Sequence, residues 1–292
     1  MSIEFIANYN CIIGEGPTWH PIEKKLYWLD IGRGRMFCYD PATNYHEQCY
    51  EGETIGGITV QADGSLLLFM TRGSIAIWRD KKLEFLKIKI PGEETNRFND
   101  VIADPEGRVF CGTMSVNEKL VENGERTGKL YRLDTDGTVE PVIQKTGIPN
   151  GLGFTPNLKA MYFTDTMDQK IYQFDYDRKT GEIANKKIFI DTYSEGGNPD
   201  GMTVDEEGFV WSANWGGSTL HRYHPNGSEE RNIRFTAKNV SSVTFGGNNY
   251  SDIYVTTAGG QDKTKNGHDA GALFRTNLGI NGKQEFLSRI KI

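Results

Sequence analysis

The sequence of 292 residues contains no apolar run approaching the roughly 18 residues that cross a membrane. Its formal net charge is −6, and it has no basic stripe of the kind that binds nucleic acid. The N-terminal stretch MSIEFIANYNC also lacks the basic and then apolar pattern of a secretory signal. These absences predict a soluble, cytoplasmic protein whose partners are neither membranes nor nucleic acids.

Cysteine is scarce, and its spacing is irregular. The four cysteines are Cys11, Cys38, Cys49 and Cys111, and no CxxC pair occurs among them. We therefore expect free thiols in a reducing cytosol and no disulfide framework. No window has a sustained helical period, so helices should be few. Apolar residues make up 37% and aromatics 11%, enough for the core of one domain spanning residues 1–292.

A repeated plan runs through the chain: a turn residue, a short apolar strand, a polar turn, and a second strand. Copies begin at residues 15, 56, 99, 150, 200 and 241, which are 41, 43, 51, 50 and 41 residues apart. Six copies at this period predict an all-β protein, a six-bladed β-propeller with four antiparallel strands per blade. Third and fourth strands follow in each copy, and EFLSRI (285–290) is the predicted fourth strand of the last. The strand IEFIAN (3–8) is surplus to six blades of four strands, so either it or the C-terminal strand closes the circle of blades.

The first residue of each copy carries the functional signal, because the first strand of each propeller blade lines the central channel. These residues are Glu15, Gly56, Asn99, Asn150, Asp200 and Ser241. Four of the six carry a carboxylate or amide oxygen, and none is His or Cys. We call this set the ring. Such hard oxygen donors are suited to a divalent cation such as Ca²⁺, Mg²⁺ or Mn²⁺.

A structural alternative is that Asp and Asn occur here because turns favour them, but turns do not favour Glu15. Strand alternation places two long loops, 113–128 and 258–271, on the same face as the ring. Long loops on a rigid scaffold often contact substrate. Arg97 lies on this face, and His268 is a weaker candidate there.

Several segments resemble the regucalcin/gluconolactonase (senescence marker protein) family from about residue 11 to about residue 276. They are GEGPTWHP, RFNDVIADPEGRVFCGTM, NGLGFTPNLKAMYFTDT, PDGMTVDEEGFVW and FGGNNYSDIYVTTA. The resemblance implies a six-bladed propeller with one divalent metal ion (Ca, Mg, Mn, Zn or Fe) that hydrolyses sugar lactones to aldonic acids. It implies that Glu15, Asn150 and Asp200 bind the metal and that Asp200 also accepts a proton. Arg97 and Asn99 correspond to the family's substrate-binding pair.

One departure from the family pattern concerns the substrate. Vertebrate regucalcins have a substrate-contacting Glu shortly after GTM, whereas this chain has Asn117 there, with Glu118 beside it. The prediction is a metal-dependent lactonase acting on a gluconolactone-like sugar lactone, as a monomer or weak homodimer. The alternatives are a calcium-binding regulatory propeller without catalysis, a promiscuous organophosphate or aryl-ester hydrolase, and an interaction scaffold.

Overall fold

Each of the six sequence copies forms the inner strands of one four-stranded antiparallel sheet in the computed structural model, which describes residues 2–291. The six sheets are the blades of a β-propeller around a central channel, which confirms the predicted fold. In every blade the first strand of the copy lies innermost, and the following strands pair outward in order.

The first three blades follow the chain order. Blade 1 contains β2 (Gly14–His20), β3 (Lys25–Asp30), β4 (Arg35–Asp40) and β5 (Tyr45–Glu51). Blade 2 contains β6 (Ile55–Val60), β7 (Leu66–Met70), β8 (Ser74–Arg79) and β9 (Lys82–Lys89). Blade 3 contains β10 (Asn96–Ala103), β11 (Val109–Ser115), β12 (Gly128–Leu133) and β13 (Val139–Thr146).

The next two blades repeat this arrangement, and the last blade combines both ends of the chain. Blade 4 contains β14 (Pro149–Phe154), β15 (Ala160–Asp165), β16 (Lys170–Asp177) and β17 (Glu182–Asp191). Blade 5 contains β18 (Asn198–Val204), β19 (Val210–Trp215), β20 (Thr219–Tyr223) and β21 (Glu229–Arg234). Blade 6 contains β22 (Asn239–Gly246), β23 (Asp252–Ala258), β24 (Ala272–Asn277) and β1 (Ile3–Asn8).

The N-terminal strand closes the circle of blades, because β1 pairs antiparallel with β24 as the outer strand of blade 6. The prediction of a fourth strand at 285–290 is therefore wrong. That segment forms one isolated parallel bridge, between Ser288 and Gln61. The edge of β24 is already occupied by β1, so the C-terminal segment cannot pair there.

The C-terminal segment instead crosses the end of the channel opposite the ring. Its backbone bonds to blade 5 where Glu206 N donates to Asn281 O (3.0 Å), and to blade 2 where Ser288 N donates to Val60 O (2.9 Å). It reaches blade 3 where Arg289 N donates to Gly107 O (2.8 Å). Residues 281–291 thus connect blades that are far apart in the sequence.

The hydrophobic core is divided into six clusters, one at each interface between neighbouring blades. Trp211 and Phe245, for example, pack edge to face between blades 5 and 6. Burying a large apolar side chain contributes about 1.5–3 kcal/mol, so each interface is held by its own cluster.

Helical structure is limited, as predicted, to α1 (Glu118–Glu122) and four short 3-10 turns among the described residues. Within that part of the chain no helix is long and apolar enough to cross a membrane. The four cysteines are free, in agreement with the sequence prediction.

Candidate active site

Each inner strand carries one extra residue relative to its partner, and always at the ring position. The pairing register shifts between residues 15 and 18, 55 and 57, 98 and 101, 150 and 152, 199 and 202, and 240 and 242. Such β-bulges redirect side chains and are common beside functional sites. Six bulges at one level of the channel therefore present the ring residues near the channel axis.

The strands approach each other closely at this level. A Cβ atom added to Gly56 would collide with the carbonyl oxygen of Phe98 in the next blade. One added to Gly151 would lie 2.7 Å from the carbonyl oxygen of Asp200. Glycine is required at these positions because no side chain fits between adjacent inner strands. The side chains present at this level consequently have little space in which to move.

The polar members of the ring are almost completely buried. Glu15, Asn150 and Asp200 expose 5%, 4% and 5% of their surface, and Asn99 exposes 6%. Buried carboxylates are costly unless they are paired, hydrogen-bonded or bound to a cation. Glu15 has one such bond, because Gly16 N donates to its Oε2 at 2.8 Å.

A chain of hydrogen bonds links three blades through the ring. Nη1 of Arg97 donates to Oδ1 of Asn99 at 2.6 Å, and Nδ2 of Asn99 donates to Oδ1 of Asn150 at 2.8 Å. Nδ2 of Asn150 then donates to Oγ1 of Thr166 at 2.8 Å, and Thr166 donates to the carbonyl of Pro199, also at 2.8 Å. This chain fixes the amide orientation of Asn150. Its Oδ1 retains a second lone pair.

Burial and mutual repulsion both disfavour the charged forms of the carboxylates at this site. Burial, followed by the charge of Asp100, raises the pKa of Glu15 well above its ordinary value. Burial, followed by the charges of Glu15 and Asp100, does the same to the pKa of Asp200. Burial raises the pKa of Asp100 to about 7 and lowers the pKa of Arg97 to about 10. A divalent cation would relieve this repulsion.

The donor set is compatible with such a cation. Among residues 2–291 no group of three or more His, Cys, Asp or Glu side chains is arranged to hold a metal ion. The ring instead combines two carboxylates, Glu15 and Asp200, with the oriented amide oxygen of Asn150. Ca²⁺ and Mg²⁺ accept carboxylate and amide oxygens together with water. The chemistry of these residues therefore fits a hard divalent ion.

The predicted substrate contacts are divided between the ring and a loop. Arg97 and Asn99 are bonded to each other beside the ring. Asn117 and Glu118 are exposed in the loop 113–128, where Oδ1 of Asn117 caps α1 by accepting from Lys119 N at 3.1 Å. No hydrogen bond within the described part of the chain joins either of these two to the ring.

Both long loops lie on the ring face, as strand alternation predicted. In the loop 113–128, Arg126 donates to Asp165, at the end of β15, at 3.2 Å. In the loop 258–271, Gly259 N donates at 2.9 Å to the carbonyl of Cys11, just before β2. His268 is exposed and bonds to Asp269 at 2.7 Å, so no described contact brings it to the ring.

One residue of the site was missed by the sequence reasoning. Asp100 lies directly after Asn99 and faces the channel, where its charge acts on Glu15 and Asp200. A signal was available, because the other five copies have Gly or Ser at the equivalent position. The bulge between Phe98 and Val101, which brings both Asn99 and Asp100 to the channel, is visible only in the structure.

Several known proteins are similar to this chain over nearly its whole length. The family described as SMP-30/Gluconolactonase/LRE-like region matches residues 13–259. The chain belongs to this family. It is 42% identical to pentonolactonase XacC of Haloferax volcanii, over 100% of both chains. It is 31% identical to regucalcin of Xenopus laevis, over 97% of this chain and 96% of the relative.

A solved structure shares the same architecture. The calcium-binding protein regucalcin from Agrobacterium tumefaciens superimposes with a TM-score of 0.90 at 24% identity. The match covers 99% of this chain and 98% of the other. At this identity the likeness shows the fold alone.

Proposed function

We propose that this protein hydrolyses a sugar lactone to the aldonic acid with one divalent ion held by Glu15, Asn150 and Asp200. The observation that carries the proposal is the burial of two carboxylates that act on each other, Glu15 and Asp200, on inner strands that also present the oriented amide oxygen of Asn150. The likeness to a pentonolactonase over the full chain and the match to a gluconolactonase family support a five- or six-carbon aldonolactone as substrate.

The proposed roles follow from the positions of the side chains. When bound, the ion supplies Lewis-acid polarisation of the lactone carbonyl. Asp200 accepts the proton of the attacking water as general base. Water adds to the carbonyl carbon and the C–O bond of the lactone breaks. The proton passes to the departing oxygen, which becomes a hydroxyl.

Substrate orientation is assigned to the neighbouring polar groups. Arg97 and Asn99 hold the sugar hydroxyls beside the ring, which provides the proximity that such reactions require. Asn117 and Glu118 contact the far end of the sugar from the loop 113–128. Because the chain departs from the regucalcin pattern at this point, we assign its sugar preference to that loop.

The experiment is a lactone panel with chelated protein and with protein reconstituted with Ca²⁺, Mg²⁺, Mn²⁺, Zn²⁺ or Fe²⁺. Pentonolactones, glucono-1,5-lactone, phenyl acetate and an organophosphate are assayed together. We expect metal-dependent opening of a sugar lactone, and its loss in Glu15→Gln. The exposed outer-strand variant Glu84→Gln serves as the matched control and should behave as wild type.

Each alternative gives a different result in this panel. Ion binding without turnover would favour a calcium-binding regulatory protein over a lactonase. Faster turnover of the aryl ester or organophosphate than of every lactone would favour the promiscuous hydrolase. Full activity in thoroughly chelated protein would contradict the metal-dependent mechanism.

The cellular setting is part of the same proposal. Four free thiols agree with a reducing cytoplasm. We also propose a monomer or weak homodimer, which light scattering behind size-exclusion chromatography tests directly. A stable higher oligomer would contradict this part of the proposal.

A further inference from the structure

The second residue of each copy follows the ring residue directly, one residue further along the inner strand. These residues are Gly16, Gly57, Asp100, Gly151, Gly201 and Ser242. At Gly57 an added Cβ would lie 2.7 Å from a methyl group of Val101, and at Gly201 it would collide with Oγ of Ser242. Five blades therefore have a small residue, Gly or Ser, at this level of the channel, whereas blade 3 has a carboxylate.

Asp100 faces the channel cavity, which begins directly inside the ring and has a volume of about 90 Å³. Thr18, Thr59 and Ser242 contribute polar atoms to its wall, and Glu285 and Phe286 of the C-terminal segment line it as well. A cavity of this size has room for several water molecules. Within residues 2–291, the carboxylate of Asp100 has no hydrogen-bonding or ion-pair partner.

The charges at this end of the channel form a simple balance. Glu15, Asp100 and Asp200 contribute three negative charges when ionised, and Arg97 contributes one positive charge. The net charge of −2 equals the charge that one divalent cation neutralises. Without Asp100 the three remaining groups would carry only −1, and a bound divalent ion would leave an excess positive charge in a buried site.

We propose that Asp100 is a positioning residue for the divalent ion. Its carboxylate lies on the channel side of the ring and stabilises the ion by charge and through cavity water, while Glu15, Asn150 and Asp200 bind the ion directly. The inference rests on the proposed function, because it assumes that the ring holds a cation. Groups outside the direct ligands commonly change metal affinity by about 10–100-fold.

The test compares two isosteric variants that each remove one carboxylate from the same cavity. Asp100→Asn changes the group beside the ring, and Glu285→Gln changes the group at the opposite end. Calorimetric titration with Mn²⁺ and with Ca²⁺ at pH 8 gives the dissociation constants. We expect Asp100→Asn to raise them about 10–100-fold and Glu285→Gln to leave them as in wild type.

A second readout separates this role from a merely structural one. Without metal, Asp100→Asn should melt at a higher temperature than wild type, because repulsion with Glu15 and Asp200 is removed. A residue needed only for packing would lower the melting temperature when changed. Asp100→Gly, which restores the residue found in four other copies, should show the same pair of opposite effects.

Three results would overturn the assignment: wild-type ion affinity in both Asp100 variants, equal weakening by Glu285→Gln, or a lower metal-free melting temperature in both Asp100 variants. If wild type itself binds no divalent ion, the proposed function fails together with this inference. If wild type binds an ion and opens lactones while Asp100→Asn binds the ion equally well, only the role of Asp100 fails.

Discussion

Nδ2 of Asn99 donates a hydrogen bond of 2.8 Å to Oδ1 of Asn150, although 51 residues separate the two in the sequence. The bond joins the inner strands of blades 3 and 4. It connects a predicted substrate contact to a predicted metal ligand, so the two functions share one hydrogen-bond network. Coupling within such a network makes the effects of single substitutions non-additive.

Replacing Asn99 by Ala should therefore affect both substrate and metal binding. Arg97 loses its side-chain acceptor and keeps the carbonyl of Phe98, and Asn150 loses the donor that orients its amide. We expect kcat/KM for the preferred lactone to fall about 10–100-fold, with a higher KM and weaker metal binding. Asn157→Ala, in an exposed turn at the opposite face, is the control and should leave both parameters unchanged. An unchanged metal affinity in Asn99→Ala would show that the bond to Asn150 has no positioning role.

Asp200→Asn separates the two roles proposed for this carboxylate. The variant keeps an oxygen near the ion but removes the charge and the base, so turnover at saturating metal should fall about 10²–10⁴-fold. Steady-state kinetics across a metal titration measures this, because mass action repairs binding but cannot restore a base. Circular dichroism should show an intact propeller. If high metal restores full activity, Asp200 is a ligand only.

The stability of the metal-free protein should depend on pH in an unusual direction. In the folded state the pKa values of Glu15 and Asp200 are raised well above their ordinary range and that of Asp100 is raised to about 7, mainly by burial. In the unfolded chain these groups titrate near pH 4. The folded state therefore binds more protons than the unfolded state between these pKa values. The stability that this proton binding contributes is lost as pH rises.

Urea unfolding of chelated protein from pH 5 to pH 8 measures this effect. We expect the midpoint to decrease across the range, and saturating divalent ion to reduce the decrease because it neutralises the same carboxylates. Carboxylates with lowered pKa values, such as Asp168, are ionised in both states above pH 5 and do not mask the trend. A midpoint that rises with pH in chelated protein would contradict the described burial of these groups.

Deleting residues 281–292 should destabilise the propeller without changing its strand content. Six backbone hydrogen bonds from 281–291 to blades 2, 3, 5 and 6 would be lost. At roughly 1 kcal/mol each, the free energy of unfolding should fall by about 6 kcal/mol. Denaturant unfolding measures the loss. Ser288→Ala, which keeps the backbone bonds and removes only the Oγ contacts, should cost about 1 kcal/mol. An equal cost for the deletion and for Ser288→Ala would show that the backbone bonds of the segment do not stabilise the propeller.

The sequence by itself determined the number of blades, the position of the inner strands and the residues of the ring. These features are local: turn chemistry, short apolar strands and a period in the forties are readable without knowledge of distant contacts. Glu15 was informative for the same reason, because no local turn preference accounts for it.

Tertiary structure alone decided which chain end closes the circle of blades and where the other end packs. Residues 3–8 and 285–290 are both strand-like, and their assignment depends on competition for one edge, that of β24. The exposure of Asp100 to the channel depends on the bulge between Phe98 and Val101, and the orientation of Asn150 depends on Asn99 from another blade. The competition between the two chain ends and the orientation of Asn150 arise from contacts between residues distant in the chain, for which a single sequence carries no local signal.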